Sequence, residues 1–345
     1  MSDSRGNFPL KLGGAYSSPY SLKMRAVLRY RQIPFRWVLR NSRWDDLPPV
    51  AVPIVPVIAF PEADGTYSEA MVDSSPQITR LEHEFTGRSL VPVDPALALI
   101  DFLIEDFADE WVCKMMYHYR WVNALDADKA GRLLPLDRDL NLSVEMAAQA
   151  KSYIIDRQVS RRALIGSTDN NQPIIEAAYE RLLDFFQLHL VENRFVLGER
   201  PGRGDFGLFG QLKPMVWWDP TPMGIAVERS PRSVMWVECL DDLSWWEVDG
   251  DDGWYSIDDL PSTTLGLLAE IGRTYAPFMV ANAAAFEAGA DEMECEIDGA
   301  TYRQAPFGYQ VKCLKWLREA YAGLATSDRA RVDAVLAGTG CDVLW

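Results

Sequence analysis

A proline stands inside a strand-like run, at Pro56 in IVPVIAF, and it constrains the fold of the first ninety residues more than any other residue. Proline has no amide hydrogen to donate to a sheet ladder, so an ordinary central strand excludes it. A cis peptide bond between Val55 and Pro56 would turn the backbone outward at this point. The main chain of Val55 would then be unpaired and open to an extended peptide ligand.

The segments on either side of Pro56 alternate between strand and helix patterns. Strands are predicted over residues 10–13, 35–39, 57–60 and 66–68, and helices over 21–31 and 74–84. Ser18 and Pro19 suit the N-cap and first turn of the first helix. Asp64-Gly65 predicts a hairpin turn. This order of elements predicts a thioredoxin-like domain (βαβ-ββα) over residues 1–90.

Three short segments follow one another at natural spacing in this domain: SPYSLKMRAVL, VPVIAFPEADG, and Asp73 with the run SSPQITRLE directly after it. Together they resemble the first loop and helix, the cis-proline strand with its hairpin, and the acidic-serine turn of cytosolic-type glutathione transferases. The resemblance implies a thioredoxin-like domain followed by an all-α domain. It also implies that glutathione, bound as co-substrate, is conjugated through its thiolate to a small hydrophobic electrophile, as in detoxification, by a homodimeric enzyme.

The same resemblance assigns Ser18, the residue just before the first proline of the motif, to the glutathione sulfur. A hydroxyl at a helix N-terminus can donate to a thiolate, and the helix dipole favours the anion. Ser18 is equally suited to cap the helix. Ser17 and Tyr16 remain alternatives, because the register could shift by one residue.

The remaining glutathione contacts are also implied by the resemblance. Val55 and Pro56 would hold the cysteinyl main chain. Asp73 and Ser74 would hold the γ-glutamyl end, because a helix N-terminus can bind a carboxylate. An ordinary helix cap explains Asp73-Ser74 as well.

The motif departs from the family pattern in three places. Position 77 is Gln where an apolar residue is usual. The loop before the proline lacks the usual Lys, His or Gln for the glycyl carboxylate, which leaves Arg40 and Arg43 as candidates, with Trp44 a further guess. No cysteine stands at the position of Ser18, which argues against a mixed-disulfide mechanism, since that mechanism needs a protein thiolate.

After residue 95 the pattern changes to long amphipathic helices, and an all-helical domain is predicted over residues 95–345. Its part after residue 213 is an elaboration with a β-hairpin around Asp298-Gly299. The Trp-rich acidic segment 213–260 would serve as extra core or as a lid.

Four aromatic residues are candidates for the electrophile pocket: Tyr20, Trp111, Tyr117 and Trp121. The last three belong to the helix stretch after residue 110, which lines the cleft between the domains in the resembled family. For any single one of them, core packing is the alternative. The segment FVLGERPGRGDFGLFGQL resembles the start of the central helix of the all-α domain. Asp205 matches the acidic member of its capping box, and Gly202 stands where Ser or Thr is usual.

Composition excludes several classes of partner. Fifty acidic and 34 basic residues give a net charge of −16, which disfavours nucleic acid and anionic membranes. Five cysteines without a CxxC pair suit free thiols in a reducing cytoplasm. Three isolated histidines do not resemble a metal site, so no metal is expected. The opening MSDSRGN is not a signal peptide and no segment approaches a membrane span, so the chain is expected to be cytoplasmic.

Two other functions stay open on this sequence. The same scaffold supports glutathione-dependent isomerases, dehalogenases and ether-cleaving lyases. A non-catalytic binding protein could also keep the fold.

Overall fold

A four-stranded sheet with two helices forms the first domain of the computed structural model, which describes residues 8–345. The strands are β1 (Leu10–Gly14), β2 (Phe35–Leu39), β3 (Val57–Phe60) and β4 (Glu69–Val72), and the helices are α1 (Pro19–Tyr30) and α2 (Ser74–Glu84). The strand order is β2-β1-β3-β4, with β1 parallel to β2 and the other neighbours antiparallel. The thioredoxin-like prediction is therefore confirmed. The MSDSRGN segment lies outside the described residues.

The last strand starts three residues later than the sequence predicted. Asp64 accepts hydrogen bonds from the amide and hydroxyl of Thr66 at 2.9 and 2.6 Å. The amide of Glu62 donates to the carbonyl of Thr66 at 2.8 Å. This turn uses residues 66–68 as connection, so the ladder begins only where Phe60 pairs with Glu69.

The topology gathers three chain segments at one edge of the sheet. Gly13 near the end of β1 pairs with Val57 at the start of β3, and Val57 pairs with Val72 at the end of β4. The loop after β1, the residues before β3 and the turn after β4 therefore lie side by side. These are the positions of Ser18, Val55 and Asp73.

A large helical domain follows the sheet domain. Its helices are α3 (Pro95–Phe107), α4 (Cys113–Val122), α5 (Ala124–Arg138), α6 (Val144–Val159), α7 (Gln172–His189), α8 (Arg203–Lys213), α9 (Pro220–Arg229), α10 (Pro231–Asp241), α11 (Ser262–Glu287), α12 (Gly308–Gly323) and α13 (Thr326–Leu336). π-helical turns span Ala108–Val112 and Pro214–Trp218, and short 3₁₀ helices span Arg162–Ile165, Ile257–Asp259 and Cys341–Leu344. A hairpin of β5 (Met293–Ile297) and β6 (Ala300–Gln304) separates α11 from α12.

The fold-class prediction for this domain is confirmed, with differences in detail. The π-helical turn Ala108–Val112 separates α3 from α4. Within residues 8–345, none of the helices combines the length and apolar character that crossing a bilayer requires.

The two domains share one continuous apolar core, and α1 packs closely on α8. Gly210 permits this approach: an added Cβ there would lie 2.8 Å from the carbonyl oxygen of Pro19 and 2.9 Å from the Cβ of Lys23. The position of the first helix is thus fixed by the helical domain.

Part of the Trp-rich segment 213–260 packs on the core, while Trp217 and Trp245 are exposed. Trp246 and Trp254 are partly buried and pack against the main core. The buried guanidinium of Arg200 donates to the carbonyls of Gly250 and Asp252 at 2.9 and 3.2 Å. These two hydrogen bonds hold the acidic loop of residues 249–252 against the buried side chain of Arg200.

The missing capping side chain of α8 is replaced from another helix. Gly202 has no side chain, but the buried carboxylate of Asp101 accepts from the amides of Arg203 and Gly204 at 3.0 and 2.9 Å. An added Cβ at Gly202 would lie only 2.5 Å from that carboxylate, which explains the glycine. Asp205 forms the other half of the cap by accepting from the amide of Gly202 at 3.0 Å.

We therefore expect Asp101→Ala to destabilise the protein by about 1–3 kcal/mol, because two buried helix-end amides lose their acceptor. Urea unfolding of the variant and the parent measures the difference. Asp169→Ala is the control, since the side chain of Asp169 is 98% exposed. Equal midpoints for Asp101→Ala and the control would contradict this role.

Candidate functional site

The sheet edge at which the loop after β1, the residues before β3 and the turn after β4 meet contains main-chain groups that are available for pairing. The Val55–Pro56 peptide bond is cis, as predicted. Among residues 8–345, no hydrogen bond reaches the amide or carbonyl of Val55. Asp73, on the neighbouring segment, has φ 81°, a backbone region that residues other than glycine seldom occupy. An extended peptide could therefore pair with Val55 beside an unusual acidic turn.

Gln77, a departure from the family pattern, connects two of these segments. Its buried side-chain amide donates to the carbonyls of Pro56 and Met71 at 3.1 and 2.9 Å. An apolar residue at this position could not satisfy either carbonyl. Gln77 therefore fixes the start of β3 against the end of β4.

Ser17, one of the alternatives for the sulfur contact, is committed to the helical domain. Its amide and hydroxyl donate to the carboxylate of Asp137 at 3.1 and 2.8 Å. Its carbonyl accepts from Arg120 at 3.2 Å. The hydroxyl proton of Ser17 is thus already used.

The other two candidates, Tyr16 and Ser18, both have hydroxyls that donate to no partner among residues 8–345. Tyr16 is exposed, and its ring packs 5.6 Å from that of Trp37. Ser18 is the N-cap of α1, where its oxygen accepts from the amide of Ser21 at 3.4 Å. Within the described part of the chain its hydroxyl donates to no partner. These contacts exclude neither residue. Ser18 differs by its place at the N-terminus of α1, where the helix dipole favours an anion, and its role at the sulfur stays a prediction.

Arg40, one candidate for the glycyl carboxylate, is occupied within its own loop. Its Nη1 donates to both carboxylate oxygens of Asp45 at 2.9 Å. We therefore assign Arg40 to loop structure.

Arg43, the other candidate, lines an open cleft of about 510 Å³ between its loop and the helices α5 and α6. Arg138 and Arg157 line the same cleft. The guanidinium of Arg43 lies 4.3 Å from the ring centre of Trp44. Three arginines and one acidic residue, Asp139, thus line one cleft, in a protein whose net charge is strongly negative.

The structure corrects the electrophile-pocket prediction for Trp111. This residue lies in the π-helical turn, is 1% exposed, and packs with its ring centre 5.5 Å from those of Phe278 and Tyr302. It belongs to the core under the β5–β6 hairpin. Helical spacing placed Trp111 on an apolar face, but it could not show which later segment covers that face.

Trp121 and Tyr117 are also packing residues. Trp121 is 3% exposed in a small second core with Ala127 and Ala130. The hydroxyl of Tyr117 donates to the carbonyl of Gln158 at 2.8 Å. For both residues the packing alternative describes the structure.

Of the four aromatic candidates, Tyr20 is nearest to Ser18 in sequence, but its hydroxyl already has a hydrogen-bond partner. It donates to the main-chain carbonyl of Asp109 at 2.7 Å. Burial raises the pKa of Tyr20 well above its ordinary value, so the group remains a neutral donor.

A buried charged network behind Ser74 was missed by the sequence reasoning. The ammonium of Lys23 donates to Glu105 at 2.7 Å, to Asp109 at 2.5 Å and to the hydroxyl of Ser74 at 3.1 Å. Arg203 pairs with the second oxygen of Glu105. The acidic residues around position 105 lie outside the apolar rows of their helix, which is typical of a solvated face; only the fold shows that they are buried.

The charges of this network decide which carboxylates ionise. Burial disfavours the ionised form of Glu105, but the charges of Arg203 and Lys23 outweigh burial and lower its pKa. Burial raises the pKa of Asp109 to about 6, against the opposing effect of Lys23. Among residues 8–345, no three His, Cys, Asp or Glu side chains are grouped so that they could hold a metal ion.

Comparison with known families bears on the sheet domain. Residues 12–89 match the family model for the glutathione S-transferase N-terminal domain. The sheet domain belongs to this family. The resemblance noted in SPYSLKMRAVL, in VPVIAFPEADG and in the segment from Asp73 to Glu82 is thereby confirmed. The comparison with curated proteins gave no match.

Several solved structures are similar to this chain at low identity. A glutathione transferase family member from Pseudomonas fluorescens pf-5, with two glutathione bound, is 13% identical over 69% of this chain and 89% of its own, with a TM-score of 0.40. A glutathione S-transferase from Rhodospirillum rubrum F11 is 14% identical over 71% and 96%, with 0.41. A β-etherase from Sphingobium sp. strain SYK-6 is 14% identical over 68% and 95%, with 0.43.

The buried carboxylates predict a specific pH dependence of stability. Burial raises the pKa of Asp106 to about 7, although Tyr275 donates to it. An unfolded Asp titrates near pH 3.9. Between about pH 4 and 7 the folded state therefore holds more protons than the unfolded state, and the free energy of unfolding falls as pH rises.

We expect Asp106→Asn to remove part of this fall, by about 1–2 kcal/mol between pH 5 and 7.5. Urea unfolding of parent and variant at the two pH values measures it. Asp156→Asn, on the exposed side of α6, is the control and should keep the parent's slope. A parent-like slope in Asp106→Asn would show that Asp106 does not titrate in this range.

Proposed function

We propose that this chain binds glutathione along the sheet edge and conjugates it, through its thiolate sulfur, to a small hydrophobic electrophile. The observation that carries the proposal is the meeting of Ser18, Val55 and the Asp73–Ser74 turn at one edge, inside a domain of the transferase family. The unpaired main chain of Val55 is the expected partner of the cysteinyl backbone. The γ-glutamyl head would then reach the turn at Asp73.

The sulfur would lie at the N-terminus of α1, beside Ser18. A free thiol has a pKa of about 8.5, so a modest depression produces mostly thiolate near neutral pH. The hydroxyl of Ser18 would donate to the sulfur, and the helix dipole would add to the stabilisation of the anion. The thiol proton leaves to solvent, and the sulfur lone pair forms the new bond to the electrophilic carbon. In a substitution the bond from that carbon to the leaving group breaks and its electron pair departs with the leaving group. In an addition the π bond breaks, and the neighbouring atom takes its electron pair and then a proton from solvent.

The charges around the edge suit an anionic tripeptide. Ser74, at the first turn of α2, offers its amide for a carboxylate, and Lys23 lies directly behind its hydroxyl. Arg43 and the neighbouring arginines line the cleft on the side proposed for the glycyl carboxylate. Since Lys23 is already paired with Glu105 and Asp109, the arginines of this cleft are the groups that would supply positive charge for an anion in an acidic protein.

We further propose that the protein acts in the cytoplasm as a homodimer with α2 near the partner. Thr79 and His83 of α2 are exposed, which leaves a face for such contact. Sedimentation velocity at micromolar concentration tests this; a single monomeric species would refute the dimer.

Ser18→Ala tests the sulfur contact. A hydrogen bond to a charged group contributes about 1.5–3 kcal/mol, so the variant should raise the pKa of bound glutathione thiol by about 1–2 units. Thiolate absorbance of the bound ligand against pH measures this. The dissociation constant for glutathione, measured by calorimetry, should change much less.

Ser17→Ala is the comparison variant, because Ser17 bonds to Asp137 instead. If Ser17→Ala raises the thiol pKa and Ser18→Ala does not, the assignment moves to Ser17. If the parent does not bind glutathione at millimolar concentration, the enzymatic proposal fails and a non-catalytic role is favoured.

A further inference from the structure

The candidate γ-glutamyl site is in contact with a helix from the far end of the chain. The hydroxyl of Tyr309 donates to Oδ2 of Asp73 at 2.7 Å. The ammonium of Lys312 lies 4.0 Å from the same oxygen. Both residues belong to α12, in the extension that the family pattern does not include. The acidic turn is therefore completed by the chain's own C-terminal region.

The start of α12 is firmly positioned. Phe307 exchanges two hydrogen bonds with the side chain of Asn282 on α11, at 2.8 and 3.1 Å. Cys313, Leu314 and Leu317 bury the inner face of the helix in the main core. Tyr309 and Lys312 thus project toward Asp73 from a rigid support.

The two residues differ in exposure, and this suggests different roles. Tyr309 is partly buried, and burial together with nearby acidic groups raises its pKa, so its hydroxyl remains a donor to Asp73. The side chain of Lys312 is 52% exposed, and its ammonium lies 4.2 Å from the ring centre of Trp316. The contact with the Trp316 ring thus restrains the ammonium of Lys312, while the side chain still faces solvent.

The head of glutathione is an amino acid, with an ammonium and a carboxylate on one carbon. Asp73 presents a carboxylate oriented by Tyr309, and the cation of Lys312 stands next to it. The amide end of α2 at Ser74 adds a second preference for negative charge. The turn thus offers complementary groups for both charges of the head.

We propose that Lys312 binds the α-carboxylate of the γ-glutamyl head while Asp73, positioned by Tyr309, binds its α-amino group. The C-terminal extension thereby selects ligands with an intact amino-acid head. This inference rests on the proposed glutathione site.

The test is calorimetric titration of the full chain with glutathione and with 4-aminobutyryl-cysteinyl-glycine, which lacks only the α-carboxylate. We expect the parent to bind glutathione about tenfold more tightly than the analogue, in line with a charged hydrogen bond. Lys312→Met should weaken glutathione binding about tenfold and leave the analogue unchanged. Lys312→Arg should retain most of the preference.

Lys315→Met is the matched control, because Lys315 is on the same helix, is 72% exposed and pairs with Glu319 instead. Equal affinity losses for both ligands in Lys312→Met, or unchanged discrimination, would overturn the inference while leaving glutathione binding intact. Absence of glutathione binding by the parent would overturn the proposed function and the inference together.

Discussion

The buried ammonium of Lys23 is the contact on which the arrangement of this protein depends. It connects α1 to Glu105 and Asp109 in the helical domain and to Ser74 at the start of α2. Charges taken out of water are costly unless they are paired, so each of these groups requires the others in place. The pairing fixes the Asp73–Ser74 turn relative to α1. Lys23 therefore positions both ends of the proposed ligand site, the N-terminus of α1 and the turn at Ser74.

The sequence predicted the sheet domain well because its signals are local. A proline inside a strand, a serine before a helix-starting proline and an acidic-serine pair each restrict the backbone where they stand. The start of β4 was wrong by three residues because side-chain bonds at Asp64 lengthened the turn. Hydrophobic spacing located most long helices but could not state which segment covers each face, and for that reason Trp111 was misassigned.

The site residues that the sequence did not reveal act across long separations. Lys23 meets Glu105, and Asp73 meets Tyr309, only after the chain has folded. No spacing rule relates such positions. Gln77 shows the converse case: it departs from the family pattern, yet it bridges Pro56 and Met71 and so supports the same edge. A departure in a motif can therefore reflect local architecture rather than loss of a site.

One edge of the sheet, bounded by α1, Val55 and the Asp73 turn, is the proposed binding site for glutathione. Titrating isotope-labelled protein with glutathione and following the backbone amide signals by NMR tests this most directly. We expect saturable shifts concentrated at the amides of Val55 and Ser74. Shifts confined to another surface, such as the groove around Met235 and Trp245, or no saturable change at all, would contradict it.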